Sequence, residues 1–144
     1  MNIELLLRVK QSILDEPKRV DMLEWATPPT RATKHRKQRL RPTAPSAPPC
    51  NTVGCIAGWT ILNGLKDPAR AARRMREKLG FEGYAYAARI KLGLLASESD
   101  RLFFPRNWPE RFERRLNVLA PGTPEYAQVV ADRIDCFIAS NGAE

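Results

Sequence analysis

Three cysteines and one histidine are the residues of this chain best suited to metal, redox or nucleophilic chemistry. Two of the cysteines share the segment Cys50-Asn51-Thr52-Val53-Gly54-Cys55-Ile56-Ala57-Gly58-Trp59. Several chemistries fit that spacing. With four residues between them, Cys50 and Cys55 could join Cys136 and His35 in a three-cysteine, one-histidine tetrahedral zinc set. Cys136, however, stands alone in a helical stripe and lacks the second half of a paired zinc motif. Cys55, at a helix start and near basic residues, could ionise and react as a thiolate. Cys50 and Cys55 could also form a disulfide, which would be transient in a reducing cell. Packing is the plainer alternative and the one expected here: a buried thiol behaves as a small hydrophobe. Gly54 and Gly58, one helical turn apart with Ala57 beside them, would let a second helix approach this backbone. No metal or cofactor is expected.

Other catalytic patterns are missing. His35 lies in a proline-rich basic stretch, where nothing would hold it in the geometry of general acid–base work. The sequence has no phosphate-binding glycine loop and no dinucleotide fingerprint. Asp132 and Asp135 fall three residues apart on the polar side of the last helical pattern and read as solvated surface. The expectation is a protein that binds rather than catalyses.

What it would bind is suggested by charge. The 144 residues carry a net charge of +8, from 24 Lys and Arg against 16 Asp and Glu, and the excess is localised. Arg31, Lys34, Arg36, Lys37, Arg39 and Arg41 follow one another with no intervening acid. Arg70, Arg73, Arg74 and Lys78 lie mostly opposite the thin apolar stripe of Ala72, Met75 and Leu79. Cations so arranged can neutralise successive phosphates, with a steep salt dependence. Nucleic acid or a nucleoprotein assembly is therefore the expected partner. The alternative is a protein-interaction module acting through its helical body, its charge serving solubility alone.

These residues need elements to position them. Ile3, Leu6, Leu7, Ile13 and Leu14, with Lys10 as the polar member, form a helical stripe over 3–16 that Pro17 closes. Val20, Met22, Leu23 and Trp25 add a short apolar patch, with Trp25 expected to be buried. From 26 to 49 the periodicity vanishes into proline, threonine, alanine and basic residues, which predicts an exposed basic loop. Thr52 would cap a helix carrying Cys55, Ile56, Trp59 and Leu62 and ending at Gly64. Asp67-Pro68 and Gly80 bound a helix at 68–79. Helical patterns continue at 84–95, at 97–104 behind a Ser cap, and through Trp108, Phe112, Leu116 and Leu119. The last, capped by Thr123-Pro124-Glu125, carries Tyr126, Val130, Ile134, Phe137 and Ile138. A helix-turn-helix across 84–104 has the right order of elements. Arg89 nevertheless crowds its turn, and Glu98 and Asp100 would repel phosphate.

The Cys50–Trp59 segment resembles a small, uncharacterised family of bacterial and phage-encoded proteins with a C-x-T-x-x-C-[IL]-A-G-W element. In that family it is followed by L-G-L, L-F and W-P pairs, matched here by Leu92-Gly93-Leu94, Leu102-Phe103 and Trp108-Pro109. The resemblance spans most of the chain outside the basic loop and implies no activity. Asn51 stands where most members would have glycine, which puts the turn there in question. The fold expected from all this is all-α: one domain over 1–144, a compact bundle of five to six short helices with 26–49 as a basic loop. No apolar run approaches the roughly 20 residues of a membrane span. The first residues also lack a signal-peptide pattern, so a cytoplasmic location is expected.

Overall fold

Asn2 starts the first helix by accepting a hydrogen bond from the Leu5 amide at 3.0 Å, which satisfies one of the orphan amides at the helix start. The computed structural model describes residues 1–23, 54–64 and 84–144. Among these residues there are six α-helices and no strand, and the fold is all-α. They are α1 (Ile3–Asp15), α2 (Ile56–Gly64), α3 (84–92), α4 (Ala96–Phe103), α5 (Glu110–Asn117) and α6 (Pro124–Ala139). Single 3-10 turns at Pro17–Arg19 and Pro105–Asn107 follow α1 and α4. The basic loop at 26–49, the helix expected at 68–79 and Trp25 lie outside the described residues.

Helix α1 packs against both α2 and α6, and α6 also meets α4 and α5. Positions 56–62 of α2 are all buried, as expected of a helix that is apolar on every side. Thr60 and Asn63 of α2 both find partners. Thr60 Oγ1 donates to the Ile56 carbonyl at 2.8 Å, Asn63 Nδ2 to the Trp59 carbonyl at 2.9 Å, and Ser12 Oγ of α1 to Asn63 Oδ1 at 3.1 Å.

The structure changes several details of the sequence reading. Helix α1 buries Leu5, Leu6, Val9 and Ile13, while Ile3 and Leu7 remain 45% and 48% exposed. The apolar arc of α1 is broader than one contact face, and the side carrying Leu5 and Val9 is the one α2 and α6 cover. Lys10 leaves the stripe altogether to bind both carboxylate oxygens of Asp135 on α6, at 2.8 and 2.6 Å. Val20 and Met22 are buried, but Leu23 is exposed. The expected helix over 84–95 stops at Leu92. Gly93 takes φ 63°, its amide donates to the Ile90 carbonyl at 3.1 Å, and the Leu94 amide reaches back to Arg89 at 3.0 Å, a left-handed helix end that favours glycine. Helix α4 then begins at Ala96 rather than behind a serine, because the Glu98 carboxylate takes the Leu95 amide at 2.6 Å and leaves Ser97 exposed.

The final helix matches its expected signature. Thr123 Oγ1 accepts from the Tyr126 amide at 3.3 Å, and Pro124 occupies the first turn. Asp132 and Asp135 are tied surface rather than freely solvated surface. Asp135 holds Lys10, and Asp132 accepts from Arg115 of α5 at 3.2 Å and from Gln128 at 2.7 Å.

Candidate functional site

The described part of the Cys50–Trp59 motif, from Gly54 on, lies against the residues that follow α1. The Gly54 amide donates to the Arg19 carbonyl at 3.0 Å, and the Asp21 amide to the Gly54 carbonyl at 3.3 Å, forming an isolated parallel bridge between Val20 and Gly54. The Gly122 amide adds a bond to the Val20 carbonyl at 3.0 Å, and the Met22 amide donates to the Tyr126 hydroxyl at 3.1 Å. The residues just after α1, Gly54 just before α2 and the start of α6 are thus held together at one place. Gly54 belongs to this bridge and not to α2, so the expected pair of helical glycines reduces to Gly58. The bridge takes Gly54 because its amide and carbonyl both bond to the chain around Val20.

Arg19 and Trp59 form the inner wall of this base. Arg19, buried, pairs with Glu16 Oε2 at 2.6 Å and places its guanidinium 5.0 Å from the centre of the Trp59 ring. A cation over an indole face is stabilised by the ring quadrupole, and more so away from water. Trp59 Nε1 is buried with no hydrogen-bond partner among the described residues.

Cys55 is also buried here. Burial pushes its thiol up from near 9 to about 11, against the opposing pull of the Gly58, Ala57 and Cys55 amides, and the Asp21 carboxylate raises it further. Burial therefore works against the reactive-thiolate reading of Cys55: the helix start does direct amides at the sulfur, but desolvation outweighs them.

Cys136 sits in a different setting. It is half-buried at the far end of α6, outside the main buried stripe, with its Sγ 3.1 Å from Arg111 Nη2 and 3.1 Å from Glu144 Oε2. A guanidinium at that distance puts positive charge where a zinc ion would need to sit, so Cys136 is poorly placed as a ligand. Among the described residues no group of three His, Cys, Asp or Glu side chains could hold a metal. His35, Cys50 and Thr52 lie outside the described residues. So do all ten residues expected to contact nucleic acid: Arg31, Lys34, Arg36, Lys37, Arg39, Arg41, Arg70, Arg73, Arg74 and Lys78.

Comparison with protein-family models, with curated proteins and with solved structures finds no match.

The charge balance of the described residues bears on those ten positions. Residues 1–23, 54–64 and 84–144 contain twelve Lys and Arg and twelve Asp and Glu. The whole excess of +8 therefore belongs to 24–53 and 65–83. Many cations of the helical body are committed to acids within it: Arg8 to Glu4, Lys10 to Asp135, Arg19 to Glu16, Arg111 to Glu144, Arg114 to Glu110 and Arg115 to Asp132.

One buried group escaped the sequence reading. Arg133 is 0% exposed, in the middle of α6. The signal was present in the sequence: Arg133 takes the middle place of the i, i+4, i+8 series Val129, Arg133, Phe137, on the apolar side of its helix.

Proposed function

We propose that this protein is a non-enzymatic polyanion-binding protein, contacting nucleic acid or a nucleoprotein assembly through the basic arm and the basic 68–79 segment. The arm contributes Arg31, Lys34, Arg36, Lys37, Arg39 and Arg41, and the second segment Arg70, Arg73, Arg74 and Lys78. The observation that carries this reading is the balance of the helical body, whose twelve cations are matched by twelve acids. The net positive charge that would attract a polyanion then lies in residues 24–53 and 65–83. The Val20–Gly54 bridge supports it further, since it holds residues from either side of 24–53 at one place on the body. Phosphate neutralisation by such segments would give affinity without base reading.

A second reading rests on the apolar side chains left uncovered, Ile3 and Leu7 on α1 and Tyr86 and Ile90 on α3. Each pair is spaced i, i+4 and so shares one helix side. On that reading the body docks a protein partner and the charge only assists solubility. Titration of the full chain with labelled duplex and single-stranded oligonucleotides at low and moderate salt separates the two. Binding that weakens steeply with salt supports the polyanion reading, and no binding at low salt favours the protein partner. Among the described residues no helix is long and apolar enough to cross a membrane. With two thiols among those residues, a reducing cytoplasm is the compartment we assign.

A further inference from the structure

A buried guanidinium needs acceptors, and Arg133 has too few. Its Nη2 donates to the Arg101 carbonyl at 2.9 Å, while Nε and Nη1 are buried without a partner among the described residues. The rings of Trp108, Phe112 and Phe137 surround it, with centres 5.9, 5.9 and 5.5 Å from the guanidinium carbon. Aromatic faces offset part of the lost hydration but accept no directed N–H bond of normal strength. Desolvation accordingly lowers the Arg133 pKa.

Two further arginines, on neighbouring helices, lie near enough that their positive charge also bears on Arg133. Arg101 of α4, half-buried, donates from Nε and Nη2 to the Gly142 carbonyl at 3.1 and 2.9 Å. Arg111 of α5, exposed, donates to Glu144 Oε2 at 2.5 Å and to Cys136 Sγ at 3.1 Å. The three therefore grade from the core to the surface, and residues 140–144 run across the outer two. That crossing uses a tight turn at the end of α6: Asn141 at φ 51° and Gly142 at φ 81°, the Gly142 amide returning to Phe137 at 2.9 Å. A Cβ at Gly142 would stand 2.9 Å from Glu98 Oε1. Glu144 is the carboxylate paired into the arginine group, and Glu98 borders it beyond Gly142.

We propose that Arg133, with Arg101 and Arg111, forms a binding site for a small oxyanion, covered by residues 140–144, whose Gly142 carbonyl and Glu144 carboxylate occupy the outer two arginines. The bound oxyanion supplies the acceptors that Arg133 lacks. Complete burial of Arg133 limits the occupant to a small ion or a single oxyanion group, because a polymer backbone cannot reach it. This site lies on the neutral body and is independent of the basic segments of the proposed function.

The test measures thermal unfolding of the full chain in inorganic phosphate against chloride of equal ionic strength, for the wild type and for Arg133→Met. Phosphate raises the midpoint of any protein by exclusion from its surface, so the difference between the two chains is what counts. The wild type should gain about 4 °C more than the variant at roughly ten times the Kd. Without phosphate, Arg133→Met should unfold at or above the wild-type midpoint, since an apolar chain of similar length replaces an unpaired charge. Arg111→Gln, at the exposed rim and no threat to the core, should weaken phosphate binding about fivefold. Gly142→Ala, which loosens the covering segment, should tighten it. Equal phosphate responses in wild type and Arg133→Met, the mark of an adventitious ion only, would overturn the proposal. So would phosphate affinity unchanged by Arg111→Gln, a reading that stands even if Arg133→Met does not fold.

Discussion

The amides of Ala57 and Gly58 point at the Cys55 sulfur, yet its pKa rises to about 11 because the core around it cannot solvate a thiolate. The stability consequence has a definite sign. In the unfolded chain the thiol ionises near 9, so between about pH 9 and 11 the unfolded state loses its proton first and is favoured. The contribution is fully present below 9 and is lost as pH rises, by about 2–3 kcal/mol in all. Tyr126, raised by burial from 10 to about 12, extends the same trend. Denaturant unfolding at stepped alkaline pH should therefore show stability falling from about pH 9. Cys55→Ala should flatten the part below 11 while lowering neutral-pH stability by about 1–2 kcal/mol. Thiol labelling at neutral pH should modify half-buried Cys136 before Cys55, with Cys55 reacting only on unfolding; mass mapping of the labelled sites checks this. That Cys55 would pack was legible, since a small thiol among Ile56, Ala57 and Trp59 belongs in a core. That Arg133 would be enclosed was less so, because its burial depends on Trp108 and Phe112 arriving from another part of the chain.

Helix ends were the most readable local features wherever the capping group lies within a few residues. Thr123 caps α6 as its Thr-Pro-Glu signature predicts, and Thr123→Ala should cost about 1 kcal/mol, seen as a lower thermal midpoint. Gly93 ends α3 through a left-handed turn. A Cβ there would meet only the Met1 amide nitrogen at 3.8 Å, so Gly93→Ala should cost about 1 kcal/mol from backbone strain alone. A substantially larger loss would mean that the packing around Gly93 differs from that described. Which side of a helix faces the core was harder to read. In α1 the apolar positions cover about 200° of the helical wheel at 100° per residue. Periodicity alone cannot choose between the Leu5–Val9 side and the Ile3–Leu7 side. The choice comes from α2 and α6, which cover the first and leave the second exposed. The start of α4 differs from the Ser-capped one that the sequence predicts for a related reason: Glu98 competes with Ser97 for the capping role and reaches the Leu95 amide.

Charge divides this chain more sharply than its composition does. The described helices form a body with equal numbers of cations and acids, several of them joined across helices in pairs such as Lys10–Asp135 and Arg115–Asp132. Exposed pairs of this kind add little to stability. With its cations and acids equal in number the body carries no net charge, and the attraction we propose for polyanions is placed on the basic arm and the basic 68–79 segment. The most direct measurement compares the salt dependence of duplex binding for the full chain with that of a chain in which Arg31, Lys34, Arg36, Lys37, Arg39 and Arg41 are all replaced by Gln. The account predicts that the full chain loses about a thousandfold or more in affinity between roughly 50 and 200 mM salt, and that the six replacements reduce the slope of log affinity against log salt by about 5. No binding at low salt, or an unchanged slope in the variant, would contradict it.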